Sequence, residues 1–127
     1  MIPPTFNLEH LTDLKHAAAE ILQQEHLYEA SDYGDGLIVY QYHETIQQFN
    51  ALCRELDFYP DFDWLAETVL ADRLIQHPEE IDALGLDNLR KVMCIHYKNE
   101  AFYPGHLAYL IDEGHFQKLL NYLSGFN

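Results

Sequence analysis

The stretch HYKNEAFYPGHLAYLIDEGHF, residues 96–116, decides how the C-terminal part of the chain folds. Proline is favoured in the first turn of a helix, where its missing N–H has no intrahelical partner, and glycine commonly ends a helix. Pro104 and Gly105 therefore mark a turn and a helix start, and Gly114 marks a stop. We predict that one helix ends before Pro104, a second runs to Gly114, and a third begins at His115.

The same stretch holds three histidines and two glutamates, so it is also a candidate active site. His106 and His115 fall in or just before first helical turns, where a neutral imidazole can accept from free backbone amides. Capping or packing is the simpler role for both side chains.

Apolar residues recur at helical spacing through most of the remaining chain. Helical segments are predicted at 7–30, 42–56, 64–76, 78–84 and 88–100. In the segment 64–76, the expected core residues are Leu65, Val69 and Leu74. We predict an all-α fold, a compact single-domain bundle of six to seven short helices that spans residues 1–127.

Residues 37–42, LIVYQY, are the one segment whose composition favours an extended conformation. β-Branched and aromatic side chains are enriched in strands. A lone strand has no pairing partner in an otherwise helical chain, however, and isolated strands are not stable. The sequence therefore leaves open whether 37–42 is strand or helix.

The composition is that of a globular protein with a packed core, with 48% hydrophobic and 22% charged residues. Cys53 and Cys94 are too few for a disulfide framework and lack C-x-x-C spacing, which favours a reducing compartment. The first ten residues show no positive charge followed by an apolar run, and no stretch approaches the ~18 apolar residues of a membrane span. We expect a cytoplasmic protein that does not bind membranes.

The formal net charge is −14, and the excess acid lies in the first 89 residues. Only Glu100, Asp112 and Glu113 of the 21 acidic residues follow position 89, whereas most of the seven basic residues do. Such a field repels phosphate backbones and attracts basic surfaces. We therefore expect no direct binding to nucleic acid and a basic protein as partner, with solubility as the simpler role of the same charge.

Carboxylates alternate with aromatic residues in two parts of the segment 28–63. Aromatic rings can hold an arginine by stacking and cation–π contact, and carboxylates at the rim steer a basic partner. The alternative is that the aromatic residues belong to the core. The partner-binding residues predicted on this basis are Asp32, Tyr33, Asp35, Glu44, Asp57, Tyr59, Asp61 and Asp63.

Two His/Glu pairs, His16 with Glu20 and His96 with Glu100, have the spacing that places two side chains on one helix face. If two such helices met, the pairs could supply four ligands to a metal ion. Pairs of this spacing also occur in helices that bind no metal, and the chain has no standard catalytic or phosphate-binding motif. We expect no cofactor and no catalytic residue, with an enzyme as the alternative.

Three segments resemble a family of small bacterial proteins catalogued as a domain of unknown function. They are FDW at 62–64, LDNLRKVMCIH at 86–96 and FYPGHLAYLIDEGHFQKLLNYL at 102–123. The family's C-terminal signature is a D-W pair, an R-x-x-R-F-x-x-G turn and a closing helix with a G-x-x-x-x-[IL]-L pattern. The positions that match this signature are Asp63, Trp64, Phe102, Gly105, Leu107, Gly114 and Leu120.

The chain departs from this signature at both arginines of the turn. Lys98 replaces the first, and Ala101 replaces the second. Lysine is a partial substitute for arginine and alanine is none. If those arginines bind an anion in relatives, this chain is expected to have lost that activity. The resemblance implies a helical fold and brings no reaction, substrate or cofactor with it.

Three classes of function remain open at this stage. We favour a small acidic, non-enzymatic interaction module that engages a basic partner through residues 1–89: an inhibitor, an immunity or antitoxin-like protein, or a mimic of DNA charge. The alternative is a metal- or small-ligand-binding protein or enzyme that uses the His/Glu pairs. The third is a structural subunit of an assembly. The sequence leaves the partner's identity and the oligomeric state open.

Overall fold

The structure, a computed structural model, describes residues 6–126 and is mostly helical, as predicted. No helix in this part of the chain is long and apolar enough to cross a membrane. Short 3-10 turns occur at Leu8–His10, Trp64–Glu67 and Pro78–Ala83. The α-helices and strands are α1 (Leu11–Leu22), β1 (Tyr28–Asp32), β2 (Ile38–Tyr42), α2 (Glu44–Glu55), α3 (Thr68–Gln76), α4 (Leu86–Phe102), α5 (His106–Asp112) and α6 (His115–Ser124).

The division of residues 96–116 into the end of one helix, a second helix and the start of a third is confirmed. Helix α4 ends at Phe102, and Gly105 precedes α5 with φ +99°. Gly114 separates α5 from α6 with φ +75°. Both glycines adopt left-handed conformations, which residues with a Cβ rarely adopt.

The predicted long helix over 7–30 is wrong beyond its middle, because α1 ends at Leu22 and the chain turns into a strand at Tyr28. This strand supplies the partner that the segment 37–42 appeared to lack. Strands β1 and β2 pair antiparallel, with Tyr28 opposite Tyr42 and Asp32 opposite Ile38. A two-stranded hairpin is marginal by itself, so its stability has to come from contacts with the helices.

One hydrophobic cluster runs through the described residues from Phe6 to Leu123. Helix α4 forms its centre, and Leu89, Val92 and Ile95 are completely buried. Helix α1 packs against α2 and α6. Leu74 is buried as predicted, but Leu65 and Val69 are exposed, so their assignment to the core is wrong. The reason is that residues 64–67 form a 3-10 turn, which changes the face that these side chains occupy.

Candidate functional site

Tyrosine hydroxyls fix the base of the β1–β2 hairpin to the turn between α4 and α5. The Tyr42 hydroxyl donates to Oε1 of Glu100 at 2.8 Å and accepts from the Ala108 amide at 3.1 Å. The Glu100 carboxylate also accepts from the amides of Gly105 at 3.0 Å and Leu107 at 2.8 Å. Burial and the hydrogen bond to Glu100 raise the pKa of Tyr42, so this phenol stays protonated and keeps its bond.

Two further contacts hold the same base. A Cβ atom added at Gly105 would lie 2.7 Å from the ring of Tyr40, so the hairpin sits directly on the glycine of the turn. The Tyr28 hydroxyl donates to the Asp112 carboxylate at 2.8 and 2.9 Å. This hydrogen bond raises the pKa of Tyr28. Helices α4 and α5 therefore position the hairpin through backbone contact as well as through side chains.

The turn at the far end of the hairpin has a defined conformation. Oδ1 of Asp32 accepts from the Gly34 amide at 2.9 Å, and the Leu37 amide donates to the Gly34 carbonyl at 2.9 Å. Asp35 has φ +53°, a value that Asp and Asn tolerate better than most residues. The turn thus presents its side chains from an ordered backbone.

Apolar side chains at this end of the hairpin face solvent. The exposed fractions are 71% for Tyr33, 61% for Leu37, and 45% for each of Ile38 and Val39. Clustered apolar side chains on a surface mark interaction sites more often than isolated ones do. Three exposed carboxylates, Glu29, Asp32 and Asp35, belong to the same hairpin. We define the hairpin tip as Glu29, residues 32–35 and residues 37–39.

The eight predicted partner-binding residues fall into separate regions of the structure. Asp32, Tyr33 and Asp35 lie in the hairpin tip. Glu44 is exposed in the first turn of α2, where its carboxylate accepts from Gln48 at 2.9 Å. The other four belong to the loop between α2 and α3, which we describe next.

In that loop, Asp57, Asp61 and Asp63 are exposed, but Tyr59 packs inward. The Tyr59 ring stacks on Tyr97 at 5.0 Å, and its hydroxyl donates to Asn50 at 2.7 Å. Burial raises the pKa of Tyr59. Tyr59 is therefore attached to the core, which is the alternative that the sequence left open for the aromatic residues.

The four residues of the predicted metal site do not converge. His16 and Glu20 are exposed on α1, whereas His96 is buried in α4 and Glu100 is bonded to the hairpin and α5. Within the described residues, the one group of three or more potential ligands whose atoms lie within 4.8 Å of one another is His77, Glu79 and Glu80. Glu80 in that group is already bonded to Arg73, at 2.8 and 3.0 Å.

The three histidines of residues 96–116 form a cluster in which His96 and His115 are buried and His106 is half-buried. Nδ1 of His96 lies 2.9 Å from Nε2 of His106, and the rings of His96 and His115 meet edge to face at 5.9 Å. Burial, together with the neighbouring His106 and His115, lowers the pKa of His96 to about 3. Burial also lowers the pKa values of His106 and His115. The imidazoles are neutral at pH 7, and they serve the packing role that we predicted for His106 and His115.

The turn that carried the family resemblance borders a cavity of about 560 Å³. Lys98, Ala101 and Phe102 line it from the end of α4, and Trp64 faces Phe102 at a ring distance of 5.8 Å. Gly105 lies outside the lining and contacts Tyr40 instead. We refer to this space as the α4 cavity.

Sequence reasoning missed the anchoring residues Tyr28, Tyr40 and Tyr42, and the exposed apolar residues 37–39. The signal was available: Tyr28 lies on one short segment and Tyr40 and Tyr42 alternate on a second, with the loop SDYGDG between the two segments. That pattern fits one face of a hairpin. The helix predicted over 7–30 from apolar spacing includes residues 28–30, and residues 31–36 were predicted to form a loop.

The chain was also compared with known proteins. Residues 7–126 match DUF6508, which is described as a family of unknown function. No curated protein and no solved structure gave a significant match. The match covers nearly the whole chain and confirms the expected membership in a family of unknown function, whereas the turn signature stays a prediction. The chain belongs to the DUF6508 family.

Proposed function

We propose that the protein is an acidic, non-enzymatic interaction module and that the hairpin tip docks on a basic partner protein. The observation that carries this proposal is the combination of four solvent-facing apolar side chains with three carboxylates on one ordered hairpin. Ile38 and Val39 point to opposite faces of β2, so one of them, with Tyr33 and Leu37, would supply the buried centre of an interface, and the carboxylates its rim.

The net charge of −14 supports a basic partner over a second copy of this chain. Two copies that met through their tips would bring like charges together, which is unfavourable at an interface. A partner rich in lysine and arginine would be attracted over a distance of about a Debye length, ~8 Å at physiological salt. Inhibition is the consequence we favour, because carboxylates compete with phosphate groups for the cationic surface of a nucleic-acid-binding protein.

A matched pair of charge variants tests the proposal. The tip variant is Glu29→Gln/Asp32→Asn/Asp35→Asn, in which Asn keeps the acceptor at position 32 and suits the positive φ at 35. The control variant, Asp13→Asn/Glu20→Gln/Glu25→Gln, removes the same charge from exposed positions of α1 and the segment after it. Each immobilised protein is incubated with native lysate at low and high salt, and the retained proteins are identified by mass spectrometry.

We expect the wild type and the control variant to retain a basic protein at low salt and to release it at high salt. The tip variant should not retain this protein. Equal retention by the tip and control variants would show that binding depends on net charge and not on the hairpin tip. Retention of acidic proteins alone, or of further copies of this chain, would contradict the proposal and favour a structural subunit.

A further inference from the structure

We propose that the α4 cavity binds a small amphipathic carboxylate, with an aromatic or bulky aliphatic body and one anionic end. This site is distinct from the hairpin tip, whose residues do not line the cavity, and it does not rest on the proposed function.

The size and walls of the cavity fit a small organic molecule. Its volume of about 560 Å³ lies within the range of ~300–1,000 Å³ typical of ligand pockets. The side chains of Ile46, Trp64, Tyr97 and Phe102 give it mostly apolar walls. Phe102 is 67% exposed and faces Trp64, so both rings are accessible to a ligand at the cavity.

The polar groups at the cavity select the sign of the ligand's charge. Lys98, Trp64 and Asn50 each have an N–H group that donates to no side chain or carbonyl in the described part of the chain. Neutral acceptors at the cavity are the side-chain amide oxygen of Gln47 and the Tyr97 hydroxyl. A ligand whose polar end accepts hydrogen bonds therefore fits better than one whose polar end donates them.

One carboxylate, Glu100, also lines the cavity and would oppose an anion. Its oxygens already accept from the Tyr42 hydroxyl and from the amides of Gly105 and Leu107. The two amides lie at the start of α5, where backbone N–H groups without intrahelical partners stabilise negative charge. The Glu100 carboxylate is thus turned to the protein, and its charge is offset by three donors.

Two cations near the cavity have no carboxylate within salt-bridge distance among the described residues. These are Lys98 and Arg54, and both line an adjoining cavity of about 450 Å³ that also contains Asp61. The guanidinium of Arg54 lies 6.0 Å from the Tyr97 ring, which both cavities share. In a chain of net charge −14, this is a place where an incoming carboxylate meets cations that are still unpaired.

Trp64 is the only tryptophan of the chain, so its indole N–H gives a single reporter signal in a ¹H–¹⁵N correlation spectrum. The probes are 2-naphthylacetate, its neutral amide 2-naphthylacetamide, and the cation 2-naphthylmethylammonium. They share one aromatic body and differ in the charge of the polar end. Each is titrated up to about 5 mM, a range that covers dissociation constants of about 1–5 mM.

We expect 2-naphthylacetate to shift the Trp64 signal with saturation and the ammonium compound to bind at least fivefold more weakly. Lys98→Gln should weaken binding of the carboxylate about fivefold, in line with an exposed charge interaction, and leave binding of the amide unchanged. Lys118→Gln is the matched control, an exposed lysine outside the cavity. Ala101→Phe should block the cavity, whereas Ala19→Phe, at an exposed position of α1, should not.

Three results would overturn the proposal. The ammonium compound could bind as tightly as the carboxylate, Lys98→Gln could leave the carboxylate affinity unchanged, or 2-naphthylacetate could fail to shift the Trp64 signal at all. The dispersion of the remaining amide signals shows in each case whether the variant is folded. Loss of partner binding in the tip variant would leave these outcomes unaffected.

Discussion

Residues 28–42 and residues 96–116 are both rich in tyrosine, acidic residues or histidine, yet they use these side chains in opposite ways. In 96–116 the side chains that suggested an active site have partners within the fold: Glu100 accepts three hydrogen bonds, and His96 and His115 are buried. In 28–42 only the base is held in this way, and the tip exposes Tyr33 and Leu37. The density of functional-looking residues is therefore less informative than whether their side chains already have partners within the fold.

The largest effect is expected at the contact between the two regions. Gly105→Ala should reduce the free energy of unfolding by about 3 kcal/mol, from the strain of a positive φ and the clash with the Tyr40 ring. Gly114→Ala is the control, because its φ is also positive but no atom lies within 4 Å of the added Cβ. Urea denaturation of both variants measures the difference. Equal losses of stability would mean that Tyr40 does not rest on the turn.

The second-largest effect is expected when acid protonates the histidine cluster. Because the pKa of His96 is about 3 in the folded protein and about 6.5 in the unfolded chain, the unfolded state binds more protons between these values. The contribution of neutral His96 to the free energy of unfolding is therefore complete above pH 6.5, and it decreases as the pH falls towards 3. We expect His96 to account for a loss of about 2 kcal/mol between pH 7 and pH 5.

Urea denaturation across this pH range measures the effect, and His96→Phe should reduce its slope with pH. Leu119→Ala is the control, since it removes a buried side chain and lowers stability without removing a titrating group. A wild-type stability that is constant between pH 7 and pH 5 would contradict the burial of a neutral His96.

A smaller effect is expected at the hairpin base. Tyr42→Phe removes a donor to Glu100 and leaves the Ala108 amide without its acceptor, which should cost about 1.5 kcal/mol. Tyr33→Phe is the matched control, because the Tyr33 ring is exposed at the tip. Hydrogen exchange of the β1 and β2 amides would locate the loss. If exchange in the hairpin were unchanged, the Tyr42 bond would not anchor it.

The smallest effect on stability is expected at the tip itself. Tyr33→Ser and Leu37→Ser should each change the free energy of unfolding by less than about 0.5 kcal/mol, because neither side chain is buried. Thermal unfolding measures this change. A loss above about 1 kcal/mol in either variant would show that the tip belongs to the fold, and it would remove the basis for a docking surface.

The sequence predicted the helical class and the turns of residues 96–116, because proline and glycine act locally. The hairpin was missed although the spacing of the tyrosines fits it, since Tyr28, Glu29 and Ala30 also suit the end of a helix. Their strand conformation depends on pairing with Tyr40, Gln41 and Tyr42, and on anchors as distant in sequence as Asp112.

The candidate sites also depend on contacts between residues that are distant in sequence. Asp32, Tyr33 and Asp35 could be named from the pattern of acids and aromatic residues, but Tyr59 matched the same pattern and packs on Tyr97. The α4 cavity joins Ile46, Trp64 and Phe102 from three parts of the chain. Local spacing carries no information about such an arrangement.

Site-specific photocrosslinking tests the docking surface most directly. The crosslinking residue p-benzoylphenylalanine replaces Tyr33 at the tip or Tyr109 on α5, two exposed tyrosines of which only the first lies in the hairpin. After irradiation in the native host, we predict that position 33 forms an adduct with a basic protein and that position 109 does not. Equal adducts at both positions, adducts only with acidic proteins or with this chain, or no adduct at position 33 would contradict the account.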